Sequence, residues 1–342
     1  MKILVMMTGG TISTTAGESG HLFANGKKTV SLLAQQLHQS GSYDIDFDYC
    51  HPLDVLSENM TFPRLNLLLD AFRSVDREKY GAIIVAHGTD TLAYTSTLLS
   101  LVLAGWWDKP VFLVSSDYTL TDPKANGHDN FRAACELALE GFGAGVYVPY
   151  RNADGIIYLH NGAHLRQCAN FTADFYSEDM RPYNEAKPYV INVRHPIIDM
   201  KYRLSECVLR IEPYVGIDYS LFNVGEGIRG VLHGSYHSST ACVERCEEGG
   251  AYTKRSLLYL IDRCREANVD VFLSPLPESM RKSSGVYSST AQLVNYGVKP
   301  IFRLTNEAAY IKLSLAYALG YEGEEIIPFL ERELAAELLD KN

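Results

Sequence analysis

Short apolar runs alternate with amphipathic stretches through the first half of the chain. Residues 3–7, 82–86, 111–114 and 146–149 are continuous apolar runs, and residues 44–49 form a weaker extended segment. Runs this short, apolar at every position, predict strands buried on both faces. Between them, residues 29–38 place Val30, Leu33, Ala34 and Leu37 at helical spacing. A second helix is predicted after Thr61, with Pro63 in its first turn and Leu65, Leu68, Leu69 and Phe72 facing inward. Further helices are predicted over residues 91–103 and near 130–140. Strand and helix in alternation predict a parallel sheet covered on both sides.

The pattern breaks between Pro182 and Pro196, where three prolines fall among polar and Tyr residues. It resumes with strands at 208–214, 230–233 and 269–274 and helices at 253–267 and 306–319. The first of these helices puts Leu257, Leu260, Ile261 and Cys264 on one face. The predicted fold is α/β with two domains. A larger parallel-sheet domain with helices on both faces spans residues 1–185, a linker runs over 186–207, and a smaller α/β domain covers 208–342.

Composition narrows the function classes. The chain has 342 residues, 46% hydrophobic and 21% charged, the balance of a folded globular protein. A net charge of −10 with no Lys/Arg cluster argues against nucleic-acid and membrane-surface partners. Seven scattered cysteines without a Cys-x-x-Cys pair read as reduced thiols, which suits the cytoplasm. The N-terminus lacks the length of a secretory apolar region, and no run approaches a membrane span.

Two segments carry candidate chemistry. Thr8-Gly9-Gly10-Thr11-Ile12 follows the first strand directly, and His87-Gly88-Thr89-Asp90-Thr91 follows residues 82–86. In an open parallel sheet ligands bind beyond the carboxyl ends of strands, where both segments fall. Gly9 and Gly10 allow close backbone approach, Thr11 presents a hydroxyl, and Thr89 sets a hydroxyl beside the Asp90 carboxylate. Asp90 or Thr91 reads equally as a plain helix cap. Neither glycine pattern matches a phosphate loop.

At their separation the two segments resemble the paired signature motifs of the bacterial-type L-asparaginase family, and the lack of a secretory apolar region favours its cytoplasmic branch. Ser57-Glu58-Asn59-Met60 resembles that family's Ser-x-x-Met segment, and residues 305–313 resemble its closing helix. The resemblance implies cofactor-free, metal-free hydrolysis of the asparagine side-chain amide, and sometimes that of glutamine. It implies Thr11 as nucleophile, Thr89 as second catalytic hydroxyl, and Asp90 orienting catalysis and meeting the substrate ammonium. Ser57 and Glu58 would hold the amino-acid end, and Gly10, Gly88 and Ser115 would shape the pocket. It also implies a homodimer or homotetramer. Rival readings are the asparaginase-like component of a tRNA amidotransferase, whose additional N-terminal domain is not expected here, and a non-catalytic amino-acid sensor.

Three positions depart from the family pattern. Counting back from Phe175-Tyr176-Ser177, the family's Lys falls on Arg166, whose guanidinium can pair with Asp90 but cannot serve as a base. The family's lid Tyr falls on His21, a residue suited to removing the Thr11 proton near neutral pH. Ser115-Ser116-Asp117-Tyr118 replaces the usual Gly-Ala-x-Arg-Pro run, while Gly127 and Asn130 keep the downstream element. His233, His237, Cys242 and Cys246 are spaced like ligands but match no standard zinc pattern.

Overall fold

The computed structural model describes residues 1–16, 22–24, 26–41, 43–191, 193, 196–246, 251–281 and 287–339. The chain divides into two compact units, Met1–Arg203 with Leu334–Glu337, and Leu204–Glu333 with Leu338–Asn342. The division falls just past the proline-broken stretch, within the segment expected to be a linker. Part of that stretch packs down: Ile198 and Met200 are buried, and Tyr189 stacks on Tyr147. The return of Leu334–Glu337 to the first unit has no signal in the sequence pattern. Asn161 holds it there by donating to the Ala336 carbonyl, and the buried Glu337 carboxylate closes the segment on itself by accepting the Leu334 and Ala335 amides.

The first unit contains β1 (Lys2–Met7), β2 (Thr14–Ala16), β3 (Leu22–Ala24), α1 (Gly26–Ser40), β4 (Asp46–Cys50), α2 (Phe62–Arg73), β5 (Ala82–Ala86), α3 (Leu92–Leu103), β6 (Pro110–Val114), α4 (Gly127–Leu139), β7 (Gly145–Arg151) and β8 (Ile157–Asn161). Its main sheet has the order β4-β1-β5-β6-β7-β8. The first five strands are parallel, with Val5 of β1 registered against Tyr49 on one side and Ile84 on the other. β5 and β6 are buried at every position, which is why they read as unbroken apolar runs. β8 is a departure from the all-parallel expectation. It returns antiparallel to β7 through a turn in which Gly155 has φ +83° and its amide bonds the Asn152 carbonyl. In α2 the residues expected inward, Leu65, Leu68, Leu69 and Phe72, are buried.

The helix placement has one unusual consequence. Ile3, Val5, Ile84, Phe112 and Val114 share a core with Leu33 and Leu37 of α1 and with Phe131, Ala134 and Leu137 of α4. None of the buried α3 residues joins that core, so α3 covers the other face. The crossovers through α1 and α4 step in opposite directions across the sheet yet lie on one face, so their hands are opposite. The α3 crossover shares its hand with α1. Right-handed crossovers being nearly universal, the β6-α4-β7 connection is the left-handed one. Residues 115–126 run from the carboxyl end of β6 to that of β7, where Asn126 donates to the Arg151 carbonyl and Arg151 to the Lys124 carbonyl.

The second unit contains β9 (Val208–Ile211), β10 (Gly230–Gly234), α5 (Leu257–Glu266), β11 (Asp270–Leu276), α6 (Ser288–Asn295), β12 (Lys299–Phe302), α7 (Asn306–Ala318) and α8 (Ile326–Glu331). Its four strands are parallel in the order β12-β11-β10-β9. Leu257, Leu260, Ile261 and Cys264 of α5 are buried together against Val231, Val271 and Leu273. Among the described residues no helix is long and apolar enough to cross a membrane.

Candidate active site

Backbone contacts build the site before any side chain enters it. Past the end of β1, the Thr8 hydroxyl and amide both donate to the Ala86 carbonyl, at 2.9 and 3.0 Å. The Val55 amide donates to the Thr8 carbonyl and the Gly10 amide to the Val55 carbonyl, drawing residues 8–10 against the segment before Ser57. Gly9 and Gly10 have φ of +105° and +78°. A Cβ on Gly9 would lie 2.1 Å from the Val55 oxygen, so this position has neither the conformation nor the space for a side chain.

Gly10 in turn lies against Gly88. A Cβ on Gly10 would come within 2.3 Å of the Gly88 Cα, and one on Gly88 within 2.5 Å of Ser57 Cβ and Oγ. Three segments therefore meet with nothing between them. Thr11 and Thr89, the next residue after each of the two glycines, flank that contact, and both are partly exposed. Thr11 opens a short 3-10 turn, Thr11–Ser13, closed by the Ser13 amide on the Gly10 carbonyl.

Asp90 is tied to Ser57. The buried Ser57 hydroxyl donates to the Asp90 carboxylate at 2.7 Å and accepts the Asp90 amide at 3.2 Å, while the Thr91 hydroxyl donates to the Ser57 carbonyl. The capping alternative is not what these side chains do: Thr91 occupies the N-cap of α3 without a side-chain cap bond. Glu58 lies exposed beside Ser57 in the 3-10 turn Ser57–Asn59.

His87 supports the site without entering it. Its Nδ1 donates to the Gly88 carbonyl at 2.7 Å and its Nε2 accepts the Thr95 hydroxyl at 2.9 Å, a pair of partners that fixes the neutral tautomer. Complete burial pushes its pKa down to about 4.

The next strand ends contribute Ser115 and a ladder of buried asparagines. Ser115 is fully buried, its Oγ without a partner among the described residues. Asn130 donates to the Ser115 carbonyl and accepts the Arg151 amide. Asn126 joins the Asp117 backbone to the Arg151 carbonyl, and Asn152 exchanges two bonds with the Phe175 backbone. Of the three, only Asn130 carries a sequence signal. Asn126 and Asn152 act through backbone groups far away in the chain.

Arg166 is not brought to Asp90. It is exposed, its side chain makes no hydrogen bond or ion pair among the described residues, and its amide donates to the Tyr176 carbonyl. The following side chain turns inward instead: Gln167 Nε2 donates to the Thr89 carbonyl at 2.8 Å. Counting register to a distant Phe could not settle which of two adjacent residues faces in. His21 lies outside the described residues. His233 is buried and bonded to Tyr219 and Gly234, and among the described residues no cluster of three or more His, Cys, Asp or Glu could hold a metal.

A family described as Asparaginase, N-terminal, matches residues 2–198. The chain belongs to the asparaginase family. This family member is 28% identical over 306 residues to a glutamyl-tRNA(Gln) amidotransferase component from Methanococcus maripaludis, an alignment that covers 84% of this chain and 69% of that one. It is 26% identical to the L-asparaginase of Thermococcus kodakarensis across 99% of both. The solved thermostable L-asparaginase from Thermococcus kodakarensis has the same fold, with a TM-score of 0.74 and 23% identity over 99% of this chain and 100% of that one. Identities this low mark the asparaginase-family chain as a divergent member.

Proposed function

We propose that this asparaginase-family amidohydrolase converts L-asparagine to L-aspartate and ammonia through Thr11. The Thr11 Oγ attacks the carboxamide carbon, its proton passes to the departing nitrogen, the C–N bond breaks, and water then hydrolyses the threonyl ester. The observation that carries this reading is the contact of Gly10, Gly88 and Ser57, which sets Thr11 beside Thr89 and Asp90 at the carboxyl edge of the sheet. Asp90, held by Ser57, offers its carboxylate to the substrate ammonium, with Glu58 alongside. Thr89 is the second hydroxyl, Gly10, Gly88 and Ser115 shape the pocket, and no cofactor is invoked. We place the enzyme in the cytoplasm, in keeping with its free cysteines, and propose the homodimer or homotetramer that the family resemblance implies.

The similarity to the glutamyl-tRNA(Gln) amidotransferase component favours one second reading, in which the same hydrolysis supplies ammonia to a partner enzyme. Ammonia release from asparagine, glutamine and short amides, for wild type and Thr11→Ala, separates the two. Asparagine turnover by the chain alone, lost in Thr11→Ala, is the expected result. Negligible turnover by the chain alone favours the partner-dependent reading. No turnover under any condition, with amino-acid-dependent thermal stabilisation, would point to a sensor.

A further inference from the structure

We infer that Gln167, and not Arg166, is the positioning residue for the second hydroxyl centre, its side-chain amide clamping the Thr89 carbonyl so that Thr89 and Asp90 are presented in one geometry; the inference rests on the reading of Thr89 and Asp90 as part of the reacting centre.

The local strand geometry dictates which side chain faces in. Arg166 and Tyr176 form an antiparallel bridge, and successive residues of extended chain point to opposite sides. Leu165 is fully buried, Arg166 is exposed, and Gln167 is again turned in. Its Nε2 reaches the Thr89 carbonyl at 2.8 Å and the Cys168 Sγ at 3.5 Å. The helical bond to the same carbonyl, from the Leu92 amide, is long at 3.4 Å. The Gln167 amide is thus the shorter of the two contacts holding this oxygen.

The turn at residues 89–90 is pinned from two sides, by Ser57 on Asp90 and by Gln167 on Thr89. Exchanging the amide atoms of Gln167 would set its oxygen against the Thr89 oxygen, two acceptors facing each other, so the nitrogen belongs there. The Gln167 Oε1 is buried and finds no donor among the described residues. An amide also carries no charge at any pH, so the clamp keeps its strength across the working range.

The test compares Gln167→Ala, Gln167→Glu and Arg166→Ala with wild type. Two quantities are measured: kcat and KM for amide hydrolysis from pH 5 to 9, and backbone hydrogen exchange over residues 86–95 without substrate. Gln167→Ala should lower kcat by up to about 100-fold, the cost of a misplaced catalytic group, with KM changed far less, and should speed exchange over residues 86–95. Gln167→Met keeps the length of the side chain and replaces the alanine variant should that one not fold. Gln167→Glu should be slow at neutral pH, where a carboxylate faces the carbonyl, and should recover as acid restores a donor. Wild type should show no such recovery. Arg166→Ala should stay within about twofold of wild type, the scale of a surface change. The inference is overturned if Arg166→Ala costs as much as Gln167→Ala, if Gln167→Glu keeps the wild-type rate and pH profile, or if exchange over residues 86–95 is unchanged. If wild type hydrolyses no amide, the proposed function fails, and the exchange comparison still decides the clamp.

Discussion

Ser57 and Asp90, 33 residues apart, exchange two hydrogen bonds: the Ser57 hydroxyl donates to the carboxylate at 2.7 Å and accepts the Asp90 amide at 3.2 Å. The carboxylate proposed to meet the substrate ammonium is therefore oriented by a buried neighbour from another segment. A hydrogen bond to a charged group contributes roughly 1.5–3 kcal/mol. Ser57→Ala should raise KM for asparagine by about tenfold or more, and Asp90→Asn, which removes the charge itself, should cost more. Steady-state kinetics on the two variants check this. A Ser57→Ala enzyme with wild-type KM would mean that Asp90 is oriented by something else.

Gly88 tests the close approach of segments. Its backbone conformation is not in the left-handed region, so the cost of a methyl group there is steric. Gly88→Ala forces a Cβ to 2.5 Å from Ser57 Cβ and should destabilise the protein by about 1–3 kcal/mol. Adding Ser57→Gly removes that collision and should return part of the loss. Denaturant melts of the single and double variants measure the coupling. Additive losses would contradict the contact.

Stability should fall as the pH drops below neutral. Burial pushes His87 and His233 down to about 4 and His160 to about 3. An unfolded histidine titrates near 6.5, so between 6.5 and about 4 the unfolded chain binds the extra protons, and the folded state loses stability as the pH falls. The loss accumulates to the order of 3 kcal/mol for each histidine at about 4. His160 is the least accommodating, since its Nδ1 bonds the Ser177 hydroxyl while Nε2 is buried without a partner among the described residues. Urea unfolding at about pH 7.5, 6 and 5 should show a declining midpoint. A flat profile would mean that these side chains are not held neutral.

His21 is proposed to take the proton from Thr11. The rate should then show an acidic limb near the histidine range, about pH 6–7, that His21→Phe removes together with most of the turnover. A pH–rate profile without that limb, or a phenylalanine variant at full rate, would rule the role out.

Legibility differed sharply between backbone and side chains. The parallel strands announced themselves because β5 and β6 are covered on both faces and must be apolar throughout. The inner face of α2 was equally plain in Leu65, Leu68, Leu69 and Phe72. Gly9 and Gly10 stood out because a chain that turns with positive φ against another backbone has one residue type to use. β8, by contrast, carries Tyr158, His160 and Asn161 among its residues, although the Asp154-Gly155 pair before it marks the turn. Its polar members interrupt the apolar run that marks the other strands.

What the amino-acid order determined by itself was local: strand and helix periods, the glycines beyond β1 and β5, and hydroxyls and a carboxylate just past strand ends. Those features depend on neighbours along the chain. Tertiary structure decided which of them meet. Ser57 finds Asp90, Gln167 turns to Thr89 while Arg166 faces water, and Asn126 and Asn152 bond the backbone of Arg151 and Phe175. The return of Leu334–Glu337 to the first unit was settled in the same way. The physical reason is register: in extended chain a shift of one residue reverses the side chain's direction, and only packing against a second segment fixes that choice.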